Sequence, residues 1–193
     1  MKNIGLLFGS FNPIHNGHIT LATFILKHKP LDEIWFVVSP LSPFKKSKIL
    51  LDKNDRLDMV KVAIKPFKKF FVSDIEFKMK TPNYTIDTLN EIKKKYPEDS
   101  FSLIIGEDNL ENFKNWKDSN LIIENFKIYV YPRMLNHSKK ADLINHPNVI
   151  LSDAPMMNIS SSSIREKIRH NEDYKSLISE NIKKFVISKS LYS

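Results

Sequence analysis

The sequence of 193 residues contains no cysteine and no apolar run long enough to cross a membrane. Without cysteine there can be no disulfide, no thiolate nucleophile and no cysteine-ligated zinc or iron–sulfur site. A membrane span needs roughly 18 consecutive apolar residues, and the first residues lead into a strand-like segment instead of a cleavable signal. We therefore expect a cytoplasmic protein that does not associate with membranes.

Acidic residues are outnumbered, with 22 Asp and Glu against 30 Lys and Arg, which gives a net charge of +8. A positive excess suits a polyanionic partner, either a nucleic acid or a phosphate-rich small molecule. Much of the excess lies in short lysine clusters of the kind that form solvated surface, and only the cluster at residues 45–48 adjoins a motif. Charge alone leaves both classes of partner open.

The hydrophobic pattern predicts a single domain over residues 1–193 with an α/β fold. Six apolar runs have the length and composition of strands, at residues 4–8, 34–38, 70–72, 101–105, 126–130 and 149–151. Helix-like stretches lie at residues 17–29, 56–64, 85–96, 121–124, 160–169 and 178–188. This alternation is typical of a doubly wound, Rossmann-like parallel sheet with helices on both faces and, here, a helical C-terminal segment. Residues 132–147 are polar and irregular, and we expect a loop there.

The loop after the first predicted strand, FGSFNPIHNGH at residues 8–18, is unusually rich in glycine and histidine. In an open α/β sheet, ligands bind beyond the carboxyl ends of the strands, where helix N-termini point free N–H groups outward. We expect Gly9 to let a phosphate approach the backbone, and His15 and His18 to face one side of a helix that opens near Gly17. Imidazoles can donate hydrogen bonds to phosphate oxygens, and a protonated one can offset the charge of a leaving pyrophosphate.

A polar turn with exposed or helix-capping histidines is the plainer alternative for this loop. The glycine and lysine spacing of a Walker loop and the dinucleotide pattern G-x-G-x-x-G are both missing from it. The His-x-x-His pair also lacks a nearby acidic or thiolate third ligand, so we expect no protein-held metal.

The segment G-S-F-N-P-I-H-N-G-H resembles the signature G-[GTS]-F-D-P-x-H-x-G-H of the nucleotidyltransferase superfamily, whose members transfer a nucleotidyl group from a nucleoside triphosphate. Asn12 stands where the signature has aspartate, which keeps the size of the side chain and removes its charge. The resemblance implies that this loop binds ATP and supplies two catalytic imidazoles. The residues it assigns to ATP are Gly9, Ser10, Phe11, His15 and His18.

Four further stretches resemble the family of bacterial nicotinate mononucleotide adenylyltransferases, and the matches together run from residue 4 to about residue 190. The stretch SPLSPFKK at residues 39–46 lies where that family commonly has P-N-x-x-P-P-H-[KR]. Lys45 stands at the histidine position and Lys46 at the basic position after it. Because lysine stays cationic at neutral pH, the resemblance implies that Lys45, in catalysis, and Lys46, in ATP binding, attract phosphate without transferring a proton.

The stretch TPNYTIDTL at residues 81–89 resembles the family pattern P-S-Y-T-x-x-T-L. The resemblance implies that Thr85 donates to the pyridine carboxylate or amide of the mononucleotide. A helix cap made by Asn83 or Thr85 is the structural alternative. Arg133, in a looser match to an R-x-P-G segment, is the third residue assigned to the mononucleotide, after Thr85 and the tryptophan of the next motif.

The stretch IIGEDNL at residues 104–110, followed by Trp116, resembles the pattern I-I-G-x-D-x-L with its tryptophan. Gly106 would allow close approach of the nucleotide, and Asp108 would accept from ribose hydroxyls or position hydrated magnesium, unless it caps a helix. Trp116 would stack on the pyridine ring, with a place in the core as the alternative. Lys117 follows it where the family has an aromatic or other residue.

The stretch MNISSSSIRE at residues 157–166 resembles I-S-[SA]-[ST]-x-[IL]-R, the second nucleotide-binding signature. Ser160 and Ser162, at a helix N-terminus, would offer hydroxyl and N–H groups to the triphosphate, and Arg165 a permanent fork of donors that takes part in catalysis. A serine-rich helix cap with a surface arginine is the alternative.

Together the resemblances imply an adenylyltransferase of NAD synthesis that forms nicotinate adenine dinucleotide and pyrophosphate from ATP and nicotinate mononucleotide. Mg²⁺ would be carried by the substrates. The partners would be small nucleotides and not nucleic acid or membranes, with a homo-oligomer left open. The alternatives are a related enzyme acting on nicotinamide mononucleotide or phosphopantetheine, a basic nucleic-acid-binding module, and an inactive regulatory binder; P-N-Y-T with Trp116 argues against phosphopantetheine.

Overall fold

The computed structural model describes residues 1–41, 50–133 and 142–192. Its strands are β1 (Asn3–Gly9), β2 (Glu33–Val38), β3 (Phe70–Ser73), β4 (Ser100–Gly106), β5 (Lys127–Tyr131) and β6 (Val149–Leu151). Its helices are α1 (Asn16–His28), α2 (Lys53–Ile64), α3 (Thr85–Lys95), α4 (Glu107–Glu111), α5 (Ser119–Asn125), α6 (Ser161–Arg169) and α7 (Glu180–Ser188). All the predicted strands and helices are present, with bounds that differ by three residues at most, and α4 was not predicted.

The six strands form one parallel sheet in the order β3-β2-β1-β4-β5-β6. The chain winds outward from β1 to β3, then returns to the other side of β1 and winds outward again from β4 to β6. The order therefore reverses between β1 and β4, and ligands of such sheets bind beyond the carboxyl ends of the strands at that point. The prediction of a doubly wound, Rossmann-like sheet is confirmed.

Apolar side chains cover both faces of the sheet, which is why the strands read as nearly continuous hydrophobic runs. Leu7 and Phe36 belong to the core of one face, and their chain neighbours Leu6 and Val37 to the core of the other, as alternation along a strand requires. The first face packs against α1, α2, α6 and α7, through Ile25, Val60, Ile164 and Val186. The second packs against α3, α4 and α5, through Leu89, Leu110 and Ile122. Over the residues described, no helix has both the length and the apolarity needed to span a bilayer.

Candidate active site

A cleft of about 710 Å³ opens at the carboxyl ends of β1 and β4, within the usual size range of small-molecule sites. The cleft has two walls, named for the groups that the sequence resemblance assigns to them. The phosphate side consists of the loop at residues 9–18 and the first turns of α6, and the ring side consists of Thr85, Trp116 and Arg133. Both nucleotide-binding signatures, from opposite ends of the chain, line this one cleft. The predicted residues that line it are Gly9, Ser10, Phe11, His15, His18, Thr85, Asp108, Trp116, Arg133, Ser160, Ser162 and Arg165.

Two predicted residues, Lys45 and Lys46, lie outside the described residues. Gly106 does not line the cleft itself but ends the strand beneath it.

The two histidines of the phosphate side form a stacked pair. Their ring centroids lie 3.7 Å apart, and the His15 main-chain N–H donates to Nδ1 of His18 at 3.2 Å. Because Nδ1 of His18 accepts this bond, the proton of that ring lies on Nε2, which is then a donor. A Cβ atom on Gly17 would lie only 3.0 Å from Nδ1 of His15, so the absence of a side chain at Gly17 leaves room for the His15 ring.

His15 is uncharged in the folded protein. Its side chain is only 5% exposed, and burial, together with the Arg133 cation, lowers the pKa of His15 to about 3. Near neutral pH this imidazole therefore acts as a neutral hydrogen-bonding group. Of the two roles open to an imidazole in this loop, the lowered pKa favours the neutral hydrogen-bonding role for His15.

The loop turns at Phe11, whose backbone is left-handed and whose ring is buried. Its φ of 44° lies in the left-handed region, which is unfavourable for a residue with a Cβ atom. Its ring is 2% exposed and lies edge-on to His18, with centroids 5.1 Å apart. A Cβ on Gly9 would come within 2.8 Å of this ring. Gly9 thus makes room for Phe11, a packing constraint that differs from the predicted approach of a phosphate.

Arg56 is a functional residue that the sequence analysis missed. It is 1% exposed, and its guanidinium donates four hydrogen bonds to main-chain carbonyls. The acceptors are Ser10 (2.7 Å), Ser39 (2.7 Å), Pro40 (3.0 Å) and Leu51 (3.1 Å). Arg56 therefore ties the segments after β1 and β2 to the start of α2 and places a cation beneath the phosphate side. The available signal was its spacing from Val60 and Ala63, which put it on the buried face of α2.

Helix α6 is bonded directly to the loop at residues 9–18. Nη1 of Arg165 donates to the Asn12 carbonyl at 2.8 Å, and Nη2 donates to the Ser162 hydroxyl at 3.2 Å. The Ser161 hydroxyl, which sequence reasoning did not single out, donates to the Pro13 carbonyl at 2.9 Å. The half-buried guanidinium of Arg165 is therefore held in place at the cleft.

Helices α6 and α3 begin in different ways. Ser160 does cap α6, because its hydroxyl accepts from the Ser163 N–H at 3.1 Å. Helix α3 is different, since its N-cap is Tyr84 and no side chain caps it. Asn83, 6% exposed, donates instead to the Glu76 carbonyl at 3.3 Å. A cap made by Asn83 or Thr85 is therefore wrong, and Thr85 begins the helix beside the cleft.

On the ring side, Trp116 both packs and faces the cleft. Its ring lies 5.1 Å from that of buried Phe113, and the residue also lines the cleft, so packing against the core leaves it open to the predicted stacking on a pyridine ring. Lys117 beside it is exposed. Its Nζ lies 2.9 Å from both carboxylate oxygens of Asp87 and 5.2 Å from the ring centroid of Tyr84, which joins the tryptophan to the start of α3.

Asp108 and Arg133 meet over Gly106. A Cβ on Gly106 would lie 2.3 Å from Oδ1 of Asp108 and 3.1 Å from Cγ of Arg133, so the glycine makes room for both side chains. Nε of Arg133 lies 3.9 Å from Oδ1 of Asp108, and its Nη2 donates to the Tyr131 hydroxyl at 3.3 Å. The N-cap of α4 is Gly106, so the interpretation of Asp108 as a helix cap is wrong.

Two acidic residues line the cleft, Asp108 and Glu76. Burial raises the pKa of Glu76, which is 2% exposed and accepts from the Thr88 hydroxyl at 2.8 Å. Within the described ranges, no group of three or more His, Cys, Asp or Glu residues is placed to hold a metal ion.

Comparisons with known proteins agree with the geometry of this cleft. A family model described as cytidylyltransferase-like matches residues 6–167. Two relatives carry the name probable nicotinate-nucleotide adenylyltransferase: that of Cytophaga hutchinsonii is 46% identical over 190 residues, and that of Flavobacterium johnsoniae 42% identical over 189, each covering 98% of both chains. A solved structure titled nicotinic acid mononucleotide adenylyltransferase of Plasmodium falciparum, complexed with NaAD, is similar with a TM-score of 0.84 and 25% identity, over 100% of this chain and 98% of that one.

Proposed function

Because the chain belongs to the cytidylyltransferase-like family, and within it to the nicotinate-nucleotide adenylyltransferases, we propose that it joins ATP and nicotinate mononucleotide into nicotinate adenine dinucleotide. The second product is pyrophosphate, and the reaction is a step of NAD synthesis. The observation that carries this proposal is that two nucleotide-binding signatures about 150 residues apart in sequence meet across one cleft, opposite Thr85 and Trp116.

The proposed reaction is a direct transfer. A phosphate oxygen of the mononucleotide forms a bond to the α-phosphorus of ATP, and the bond from that phosphorus to the bridging oxygen breaks, so pyrophosphate leaves with the electron pair. The attacking phosphate is already anionic and needs no base. The work of the protein is to align the two nucleotides and to stabilise the charge that builds on the leaving group.

The phosphate side would receive the triphosphate. The proton on Nε2 of His18 is fixed by the bond at Nδ1, which makes that nitrogen a preorganised donor to a phosphate oxygen. Arg165 would add a permanent cation, with the N–H groups and hydroxyls at the start of α6 beside it. His15, being neutral, would contribute through hydrogen bonding and by packing against His18.

The ring side would receive the mononucleotide. The flat face of Trp116 suits a pyridine ring, and the free N–H groups at the start of α3 suit the carboxylate of that ring. Arg133, the third residue of the ring side, would contact the mononucleotide phosphate.

Magnesium would be carried by the substrates. The oxygen donors of a triphosphate and water suit Mg²⁺, and Asp108 is the exposed carboxylate on the cleft that can approach such an ion. When bound, the ion would offset part of the triphosphate charge.

Pyrophosphate release from ATP tests the proposal, with nicotinate mononucleotide, nicotinamide mononucleotide and phosphopantetheine offered separately as acceptors. We expect release with nicotinate mononucleotide at the highest kcat/KM. A preference for one of the other acceptors would favour a related adenylyltransferase. No release with any of them, together with measurable ATP binding, would favour an inactive binder.

A further inference from the structure

Tyr192, far along the chain, contacts the loop at residues 9–18. The Tyr192 hydroxyl lies 2.9 Å from Oδ1 of Asn12, across a separation of 180 residues. Burial raises the pKa of Tyr192, so the hydroxyl keeps its proton and donates it to the amide oxygen. Tyr192 itself does not line the cleft, but Asn12, the acceptor of its hydrogen bond, does.

Asn12 is the point at which three parts of the chain meet. Its side-chain oxygen accepts from Tyr192 and, at 3.4 Å, from the Leu51 N–H just before α2. Its main-chain carbonyl accepts from Arg165 at 2.8 Å. Asn12 is 1% exposed and its bonds to Tyr192 and Arg165 are partly buried, so water can replace a lost partner only in part. The orientation of the Asn12 peptide therefore sets where the Arg165 guanidinium stands.

The charge at position 12 fits this arrangement. The superfamily signature has aspartate there, and this chain has an amide that accepts the same hydrogen bonds without a negative charge. Both Arg165 and Arg56 lie close enough to lower the pKa of Tyr192, against the stronger effect of burial. An uncharged acceptor leaves the positive charge of both arginines unneutralised by residue 12, and of the two it is Arg165 that lines the cleft.

Tyr192 is itself held in a defined place. The Leu191 N–H donates to the Val186 carbonyl at 3.0 Å, and Lys189 forms an ion pair with Asp55 of α2. The side chains of Leu191 and Tyr192 pack against the core face that carries α2 and α7. The hydroxyl is therefore presented to Asn12 by a packed segment.

We propose that Tyr192 is a positioning residue for the adenylyl transfer, which acts through the Asn12 side chain to set the loop carbonyl that orients Arg165. This inference rests on the proposed function. It predicts that removing the Tyr192 hydroxyl oxygen slows the transfer from ATP. Binding of the mononucleotide should be unchanged, since Thr85 and Trp116 lie across the cleft.

The first test is the variant Tyr192→Phe, which keeps the packed ring and removes the hydroxyl. We expect kcat to fall about tenfold, the scale of one lost hydrogen bond, with the KM for nicotinate mononucleotide changed less than about twofold. The matched control is Tyr174→Phe, because Tyr174 packs against the same core face between α6 and α7. We expect its kcat and melting temperature to match those of the unchanged protein.

The second test is a double-mutant cycle with Asn12→Ala. If Tyr192 acts through Asn12, then Tyr192→Phe lowers kcat by less than about twofold once Asn12→Ala is present. Additive losses would overturn the proposal, and so would a Tyr192→Phe variant whose kcat equals that of the control. A loss of activity that only follows the loss of folded protein in a melting curve would show a merely structural role and overturn it as well.

These results separate the two proposals. If the unchanged protein releases no pyrophosphate with any acceptor, the proposed function fails, whereas normal release that does not respond to Tyr192→Phe defeats only the role of Tyr192.

Discussion

On the phosphate side of the cleft, buried and partly buried hydrogen bonds join residues up to 180 positions apart, whereas on the ring side an exposed ion pair joins Lys117 to Asp87. The phosphate side is fixed by Arg56, Arg165 and Tyr192, each bonded to the loop at residues 9–18. The ring side depends on Trp116 packed over Phe113 and on side chains that are more than two-fifths exposed at the ion pair.

The difference matters because buried and exposed contacts have different energies. A buried donor or acceptor that loses its partner costs roughly 1–3 kcal/mol, while an exposed ion pair contributes roughly 0–1 kcal/mol. The phosphate side is therefore the more firmly held wall and the ring side the more adjustable one; in the proposed reaction the first would hold the leaving group and the second the acceptor. Substitutions on the two sides should differ in size and in kind.

The largest effect should come from Arg56→Met. The substitution leaves four main-chain carbonyls without their donor in a buried place, and we expect the free energy of unfolding to fall by about 3 kcal/mol or more. Urea denaturation measures this change. The control is Lys61→Met on the same helix, whose exposed pair with Asp58 predicts a change below about 0.5 kcal/mol. Equal losses in the two variants would contradict the idea that the phosphate side is the more firmly held wall.

The next effect is that of His18→Ala on turnover. Loss of one preorganised donor to a developing charge lowers kcat by a factor of roughly 10², or about 2.7 kcal/mol. Steady-state pyrophosphate release measures it. His28→Ala, at the other end of α1, is the control and should keep its turnover. A folded His18→Ala protein with full turnover would remove His18 from the mechanism.

A smaller effect should appear in the pH dependence of stability. The unfolded chain protonates His15 near its ordinary pKa of 6.5, while the folded protein resists protonation down to a pKa of about 3. The folded state thus binds fewer protons in this window, so its stability is retained above pH 6.5 and lost as the pH falls. At pH 5 the loss is about 2 kcal/mol relative to pH 7.5, and His15→Asn should lack it. Parallel stability curves for the two proteins between pH 7.5 and 5 would show that His15 is not held neutral.

The smallest effect of the series concerns the ring side. Trp116→Ala should weaken binding of nicotinate mononucleotide about tenfold, the lower range for loss of a stacking partner, and change ATP binding less than about twofold. Calorimetric titration with each nucleotide measures both constants. Trp116→Phe keeps a flat ring and should retain most of the affinity. Equal weakening of ATP and mononucleotide binding would mean that the two sides of the cleft are not independent.

The sheet could be predicted from sequence because its strands are buried on both faces and read as separate apolar runs. Helix α4 was missed, since its five residues are too few to show a helical period. The two signatures could be placed in one cleft because each adjoins an element whose end lies at the carboxyl edge of a parallel sheet.

The supports of the site were harder to foresee. Arg56 is charged, and a charged residue in a helical pattern normally indicates an exposed position. Ser161 and Tyr192 form hydrogen bonds to residues 148 and 180 positions away, and a local sequence pattern cannot predict such long-range contacts. The low pKa of His15 likewise depends on burial and on Arg133, which come together only in the folded chain.

The long-range anchoring of the loop at residues 9–18 also bears on how the protein is made. Residues 12 and 13 leave the ribosome before three of their partners, Ser161, Arg165 and Tyr192, which follow 148 to 180 residues later. A nascent chain that has reached only β5 would contain the histidine pair but not the residues that bond to Asn12 and Pro13 beside it. Translation that stops just before residue 192 would therefore release a polypeptide that contains all six strands but lacks the Tyr192 bond to this loop.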